Sequence, residues 1–488
     1  MKKNKVLSLA VAAVMACGAN MAYGQAYEKL TLTPEAEQAA KMMIENFKNN
    51  PDDLLGSIKK ATKQFKIRKK EDLIAIGAYC YKQKEYSPAI SLAQQVYEDY
   101  YDYLPSLHLE GDCYMDLQRY GEAAQKFEEA RSANEKDKYA YFRIVDVYKY
   151  INPDHALNLM EQVKERYPND PAIGKTMASI YYFQNDTANA NAAYSEYFKN
   201  VNFVDDADAA TEYAIVRFLN KDFKGSLDVV NAIIDKRPDE IALSRMKFYD
   251  LLELGQYAEA HAAAEKFFGK FIDTLYNYND YKYMGALQLQ RGDKAKAGEA
   301  LEKSLKMMPE DKGLLFKELS DNLKSVGKYD AAAEAYQKYI DNEKPGSIPE
   351  MIKKGRIYYT ALNDTAVTDL ETKKHYIAAG DEIFKVVSDS VKESYQGPYW
   401  RARLHMTLDP ENAVEEAMEQ YTEAFNRLEG KSADYDGIRI ECLRYMMFYY
   451  LKKDDYDNCA VYVNKVLALD ADDSLAKQIK AALSQLKK

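Results

Sequence analysis

Apolar residues recur with the period of an α-helix along nearly the whole chain, from residue 34 to residue 487. Alternation of apolar and polar residues, which would indicate strands, is absent over any useful length. The helical segments come in pairs, and both helices of a pair are amphipathic. The pattern therefore predicts an all-α fold built from helical hairpins.

A fixed period of 34 residues underlies these pairs. The segment GAYCYKQKEYSPAISLA, which starts at Gly77, returns as GDCYMDLQRYGEAAQKF, which starts at Gly111. A period of this length is typical of a helical solenoid, in which each repeat packs only against its neighbours. Such a stack presents an extended surface for binding rather than a cleft for chemistry.

Small residues mark two positions of the repeat, one in each helix. Position eight, in the first helix, is Gly, Ala or Ser in eight of eleven repeats and is occupied in turn by Gly77, Gly111, Val145, Ala178, Ala214, Phe248, Gly285, Ser320, Gly355, Ala402 and Met447. Position twenty, in the second helix, is small in every repeat: Ala89, Ala123, Ala156, Ala190, Ser226, Ala260, Ala297, Ala332, Ala379, Ala417 and Cys459. Antiparallel helices that pack about 8 to 10 Å apart need small side chains where they cross. We therefore expect these positions to meet in each hairpin.

Turn residues support the same division into helices. Proline, which cannot continue a helix, follows three second helices, at Pro168, Pro238 and Pro309. Glycine, which tolerates the left-handed backbone conformation, closes three first helices, at Gly255, Gly292 and Gly327. Tyrosine or phenylalanine opens many of the second helices and is expected to fill the space beside each crossing.

In these small, aromatic and proline positions the chain resembles the tetratricopeptide repeat family from about residue 70 to residue 472. The resemblance implies a right-handed superhelical solenoid of about eleven hairpins, with the first helices lining a concave wall. It also implies that the protein binds proteins or peptides and has no catalytic activity of its own.

The first residues carry export signals. Three lysines precede an apolar run within residues 1–24, and this pattern predicts a secretory signal peptide that is cleaved after Gly24. The residues before Cys17 loosely match a lipobox, so lipidation at Cys17, which would tether the chain to a membrane, stays an alternative. No later apolar stretch is long enough to span a bilayer. We therefore expect an exported protein that is periplasmic or associated with the outer membrane.

Repeat spacing predicts how the chain is organised. The expected parts are the signal peptide (1–24), an N-terminal helical cap (25–69), a repeat solenoid (70–347), C-terminal repeats with longer insertions (348–472) and a C-terminal capping helix (473–488). Residues 361–374 are predicted to be an insertion between the two helices of one repeat. Residues 428–436 are predicted to be a looser connection.

Composition excludes several functions. A net charge of -10 argues against nucleic acid and anionic lipid as partners, because no basic stripe exists to neutralise phosphates. Four cysteines besides Cys17 are expected to be small buried residues, and Cys80 and Cys113 are the one pair to test for a disulfide. The histidines lack metal-ligand spacing and are expected at surface or half-buried positions: His108, His155, His261, His375 and His405. No catalytic site, metal or cofactor is predicted, and the acidic residues 470–473 are expected to cap the closing helix.

Residues on the first helices are the candidates for ligand contact. Most of the 42 tyrosines are expected in the helix-packing core. Four tyrosines and three cations fall at first-helix positions that should face the groove: Tyr182, Tyr249, Tyr283, Tyr359, Arg245, Lys282 and Lys317. The cations predict a groove whose middle receives an acidic or C-terminal segment of a partner, whereas Asp112 and Arg143 should give its N-terminal part mixed charge.

These features favour a non-catalytic scaffold for protein-protein interactions in the bacterial cell envelope, within an outer-membrane-associated complex as one option. The alternative is a surface lipoprotein that captures glycans for nutrient uptake, since such proteins are also exported, helical and rich in aromatic residues. Lipid on Cys17 together with retention on a polysaccharide column would favour this alternative.

Overall fold

The structure is a computed structural model that describes residues 26–486. Across this range the regular structure is helical, with 25 α-helices and no strand, so the predicted all-α fold is confirmed. The chain divides into two compact units between residues 263 and 264. The predicted signal peptide, residues 1–24, and its Cys17 lie outside the described residues.

Thirteen helices belong to the described part of the first unit. They are α1 (Pro34–Asn49), α2 (Leu54–Gln64), α3 (Lys70–Lys82), α4 (Tyr86–Asp99), α5 (Leu104–Asp116), α6 (Tyr120–Ala133), α7 (Lys138–Ile151), α8 (Pro153–Arg166), α9 (Pro171–Phe183), α10 (Thr187–Tyr197), α11 (Ala207–Leu219), α12 (Phe223–Ile233) and α13 (Ile241–Glu253). The division between the units falls within α14 (Tyr257–Lys270).

Eleven helices belong to the described part of the second unit. They are α15 (Tyr278–Gln290), α16 (Lys294–Met307), α17 (Gly313–Ser325), α18 (Tyr329–Glu343), α19 (Ile348–Leu362), α20 (Leu370–Ser390), α21 (Gln396–Met406), α22 (Glu415–Asn426), α23 (Asp436–Lys452), α24 (Tyr456–Leu469) and α25 (Ser474–Leu486). In both units consecutive helices pack together in pairs, and ten of the predicted hairpins are seen, five from α3/α4 to α11/α12 and five from α15/α16 to α23/α24.

The predicted crossing of small residues is confirmed. A Cβ atom added to Gly111 would lie 2.6 Å from the ring of Phe127, which is one helical turn after Ala123 in the partner helix. A Cβ added to Gly285 would lie 2.7 Å from Leu301, one turn after Ala297. Both distances are shorter than real carbon contacts, so a side chain at these positions would force the two helices apart.

In one hairpin the predicted crossing residue of the second helix is wrong by one position. In the hairpin α19/α20 the ring of Phe384 packs against Gly355, where an added Cβ would lie 2.6 Å away. The residue one turn before Phe384 is Gly380, which is buried, whereas the predicted Ala379 is only half-buried. The long connection before α20 shifted the register, so counting from the previous repeat gave the wrong residue.

The predicted insertion is partly helical. The connection between α19 and α20 covers residues 363–369, and α20 starts at Leu370 and runs for 21 residues. Residues 361–362 belong to α19 and residues 370–374 to α20, so only residues 363–369 of the predicted insertion are a loop. The other long connection, between α22 and α23, is fixed by Arg439, whose guanidinium donates to the backbone carbonyls of Leu428 and Lys431, each at 2.6 Å.

The first helices end at residues with a left-handed backbone conformation, as predicted for three glycines. Gly255, Gly292 and Gly327 have φ angles of +71°, +77° and +80°. The same place in other hairpins is taken by residues with a side chain, also at positive φ: Lys84, Gln118, Asn185, Lys221 and Asp454. The turn geometry is thus set by the packing of the hairpin, whichever residue occupies it.

Both ends of the described chain carry ordered caps. A short 3₁₀ helix, Ala26–Lys29, lies against α3 and α5, and the pair α1/α2 follows it. At the other end Asp473 accepts a hydrogen bond of 2.8 Å from the backbone N–H of Ala476, which confirms that the acidic run caps α25.

The four described cysteines are buried free thiols, as expected for small core residues: Cys80, Cys113, Cys442 and Cys459. Burial raises the pKa of Cys80 and of Cys442 to about 12, so both are protonated and unreactive at neutral pH. Between residues 26 and 486 no helix has the length and apolar character needed to cross a membrane.

Candidate functional site

A pocket opens on the first-helix side of the second unit. It has a volume of about 370 Å³ and lies between the first helices α17 and α19, with the second helix α18 contributing one ring. Four of its lining residues are cations and one is a carboxylate: Lys317, Asp321, Lys324, Tyr336, Lys353, Arg356, Ile357 and Thr360. The pocket is therefore strongly basic in a protein that is acidic as a whole.

Two of these cations are already paired. Lys324 Nζ is 2.9 Å from Asp321 Oδ1, and Lys353 Nζ is 2.9 Å from Glu350 Oε1. Glu350 also accepts a hydrogen bond of 2.7 Å from the hydroxyl of Tyr336. The bond from Tyr336, followed by that from Lys353, lowers the pKa of Glu350, which keeps this carboxylate ionised and Lys353 in place.

The other two cations face rings instead. No carboxylate of the described residues comes within 4.0 Å of Lys317 or Arg356. Lys317 Nζ lies 5.3 Å from the ring centre of Tyr339, and the Arg356 guanidinium lies 5.0 Å from that of Trp400. Such cation-π contacts contribute only about 0.5 to 1 kcal/mol at exposed sites, so both charges stay available to an anionic ligand.

An aromatic strip continues from the pocket onto the next first helix, which contacts α19. Tyr359 and Trp400 meet edge to face with ring centres 5.3 Å apart. Arg403 lies over both rings, at 5.1 Å and 5.2 Å, and its Nε is 3.3 Å from Glu441. The strip offers half-buried apolar surface beside two available cations, which suits a ligand that is both acidic and apolar.

The first unit holds a different polar cluster on its first helices. Asp112 on α5 is fully buried and accepts hydrogen bonds from the hydroxyl of Tyr139, at 2.6 Å, and from Arg143 Nε, at 3.0 Å. Burial opposes the charge of Arg143, but the nearby Asp112 carboxylate outweighs it and raises the pKa of the guanidinium. The cluster has the mixed charge that was expected here, and the 3₁₀ helix covers Asp112.

His108 departs from expectation. It was predicted at the surface or half-buried, but it is buried, and its Nε2 lies 2.6 Å from Asp137 Oδ2. Its Nδ1 accepts a hydrogen bond of 3.1 Å from the backbone N–H of Ala26. The covering segment lies about eighty residues earlier in the chain, so no local pattern around His108 could indicate its burial.

Part of the chain is similar in sequence to a known protein family. Residues 175–241 match a family model described as tetratricopeptide repeat. Proteins with such repeats are typically scaffolds for protein interaction without catalysis of their own. Among residues 26–486, no three His, Cys, Asp or Glu side chains are grouped as a metal site would require.

Solved structures of tetratricopeptide-repeat proteins are similar to parts of this chain. The C-terminal part of such a protein from Cytophaga hutchinsonii is 20% identical and covers 55% of this chain and 98% of its own, with a TM-score of 0.33. One from Parabacteroides merdae is 18% identical and covers 53% and 98%, with a TM-score of 0.37. YrrB, described as having an unusual peptide-binding site, is 16% identical and covers 42% and 96%, with a TM-score of 0.30. No match was found among curated proteins.

The helical hairpins of the second unit hold four predicted contact residues. Lys317 lines the pocket, and Tyr359 belongs to the aromatic strip. Lys282 Nζ is 3.1 Å from Glu318 Oε1, and Tyr283 is half-buried. Their contact with a ligand stays a prediction.

The repeats of the first unit hold the other three. Tyr182 and Tyr249 are buried, with exposed fractions of 6% and 4%, so their rings belong mainly to the helix-packing core. Arg245 is half-buried. These positions offer less surface to a ligand than their place in the repeat had indicated.

Sequence reasoning missed several residues of the pocket and strip. Residues 317, 321 and 324 on α17 and residues 353, 356 and 360 on α19 are spaced three or four apart, so each set lies on one helix face. That spacing is visible in the sequence and could have indicated Lys324 and Lys353. Trp400 and Arg403 could not be placed in the same way, because they follow the irregular connection between α20 and α21.

Proposed function

We propose that this protein is an interaction scaffold of the bacterial cell envelope, and that the pocket of its second unit holds an acidic segment of a partner protein. The observation that carries the proposal is the pair Lys317 and Arg356. Each of these cations lies over an aromatic ring, and among residues 26–486 neither has a carboxylate within 4.0 Å. Residues 1–24, with their export signals, support a periplasmic or outer-membrane-associated location.

The charge distribution supports an acidic partner segment at this place. The whole chain carries a net charge of -10, so as a whole it repels acidic segments. A basic pocket on such a surface therefore orients the segment as well as attracting it. The adjacent rings of Tyr359 and Trp400 would hold an apolar residue next to the carboxylates, which favours a peptide over a small free anion.

Charge reversal tests the pocket. The probe is a fluorescent peptide of alternating glutamate and leucine, whose binding is measured by anisotropy at near-physiological salt. Lys317→Glu with Arg356→Glu should weaken binding about tenfold or more, because two attractive contacts become repulsive. The control is Lys306→Glu with Lys392→Glu, which changes the net charge equally at two exposed lysines.

The control pair should bind the peptide like the parent protein. Equal weakening in both double variants would mean that net charge alone attracts the peptide, and absence of binding to the parent would reject the pocket as an acidic-segment site. Cell fractionation tests the location, and a cytoplasmic protein would reject the envelope role. Lipid on Cys17 together with retention on a polysaccharide column would favour glycan capture instead.

A further inference from the structure

The 3₁₀ helix Ala26–Lys29 occupies the first-helix side of the first unit, where it lies against α3 and α5. The residues that hold it sit at the repeat positions that form the basic pocket of the second unit. His108 is at position five of its repeat, as Lys317 is, and Asp112 is at position nine, as Arg356 is. In the first unit the segment thus contacts repeat positions five and nine of one helix, α5, whereas in the second unit these positions of α17 and α19 line an open pocket.

Tyr27 anchors this segment. Its side chain is only 1% exposed, and its hydroxyl donates to Asp112 Oδ2 at 2.8 Å. Its ring meets the ring of Tyr81 edge to face, with centres 6.1 Å apart. One residue earlier, the backbone N–H of Ala26 donates to His108 Nδ1 at 3.1 Å. The segment is therefore held both through the Tyr27 side chain and through its backbone at Ala26. Peptide ligands are recognised by the same combination of backbone and side-chain contacts.

The groups that receive Tyr27 are also held by the repeats themselves. Asp112 accepts hydrogen bonds from Tyr139 and Arg143, both on α7, without help from the segment. The other ring nitrogen of His108 is 2.6 Å from Asp137, and since Nδ1 accepts from Ala26, Nε2 carries the proton. These bonds fix the carboxylate and the imidazole in position, so the site does not depend on Tyr27 for its shape.

We propose that this face of the first unit is a binding site for a peptide segment that carries a tyrosine, and that the chain fills it with its own residues 26–30 as an intramolecular ligand. A separate peptide with the same tyrosine competes for the site when the internal anchor is removed. Residues 30–33 tether the segment to α1, so its effective concentration is high, about millimolar or above for such a short linker. The inference concerns the first unit and does not rest on the proposed function of the second.

The test uses the full chain with Tyr27→Ala and a labelled peptide, QAYEKLTL, which reproduces residues 25–32. We expect the peptide to bind the variant and to bind the parent at least about tenfold more weakly, because in the parent the tethered segment competes for the site. A second peptide, QAFEKLTL, lacks only the hydroxyl and should bind the variant about tenfold more weakly, because a hydrogen bond to a buried carboxylate is lost. The control variant Tyr101→Ala removes a tyrosine of the same unit that is 76% exposed and should behave like the parent.

Circular dichroism establishes that the Tyr27→Ala chain is folded. A folded variant that fails to bind the peptide would overturn the proposal, and so would equal binding to the parent, which would place the peptide elsewhere. If the variant does not fold, hydrogen exchange of the parent decides the question. An excess of QAYEKLTL should then speed exchange of the chain's own residues 26–32, and unchanged exchange would overturn the proposal.

Discussion

At the scale of single residues, the side chain least suited to its surroundings is Asp250 on α13. It is fully buried, and neither carboxylate oxygen accepts a hydrogen bond from residues 26–486. The pKa of Asp250 is raised from 3.8 to about 7, mainly by burial and to a smaller extent by the nearby Asp222 and Glu253, while the Ser226 hydroxyl lowers it. The folded protein therefore retains a proton at this site over a range of pH in which an unfolded chain has lost it.

This retention predicts how stability depends on pH. An unfolded aspartate ionises near pH 4, so between about pH 4 and pH 7 the folded state binds more protons and the free energy of unfolding falls as pH rises. In Asp250→Asn the fall in the free energy of unfolding with rising pH is absent. The stabilisation by this substitution should therefore be about 2 to 3 kcal/mol greater at pH 8 than at pH 5. Urea unfolding followed by circular dichroism at the two pH values measures the difference.

The control for Asp250 is Asp228→Asn, on the neighbouring helix α12. Asp228 is exposed, so its amide variant should follow the pH profile of the parent. Parallel profiles for the parent and Asp250→Asn would show that the carboxyl is not buried as described.

At the scale of elements, the hairpins could be predicted because the residues that define each hairpin lie within one repeat. Each repeat contains the helical period and small residues at two fixed positions. The close approach of the Phe127 ring to Gly111 shows the packing that these positions require. The register of α20 could not be predicted, because a seven-residue connection precedes it, and its crossing residue is Gly380 and not Ala379. Counting residues from the previous repeat gives the wrong crossing residue where the repeat length changes.

The candidate site was predictable to the same extent. Lys317 was found from its repeat position, since position five of a first helix faces the same side in every repeat. The burial of His108 and Asp112 was not found, because it depends on Ala26 and Tyr27, which reach them from far away in the sequence. Contacts made by the repeat rule are visible in the sequence, and contacts made by a segment outside the repeats are not.

The turns within hairpins give an element-scale prediction. Gln118 adopts a φ of +58° at the end of α5, where a side chain costs about 1 kcal/mol or more. Gln118→Gly should therefore stabilise the protein by about 0.5 to 1 kcal/mol, after the greater freedom of glycine in the unfolded chain is counted. Gly292→Ala, at a φ of +77° and with open space around the added methyl group, should destabilise it by about 1 kcal/mol. Thermal unfolding should show opposite shifts, and shifts of the same sign would contradict the left-handed geometry.

At the scale of the whole molecule, each helix contacts mainly the helices next to it in the chain, and the two units are compact separately. In such an array the stability is close to a sum of terms for each repeat and each pair of neighbours. A local defect should therefore lower the stability of nearby repeats first, and its effect should fade along the stack.

Gly111→Leu tests this expectation in the full chain. Its side chain would start 2.6 Å from the Phe127 ring, and overpacking of this kind costs about 1 to 3 kcal/mol. Hydrogen exchange read by mass spectrometry should become faster in α3 to α8 and stay unchanged in α17 to α24. The control is Gly174→Ala, where nothing lies within 4 Å of the added methyl group and the better helix propensity should leave exchange equal or slower. Faster exchange throughout both units would mean that the chain unfolds as one cooperative body, and unchanged exchange everywhere would mean that the crossing at Gly111 has room for a side chain.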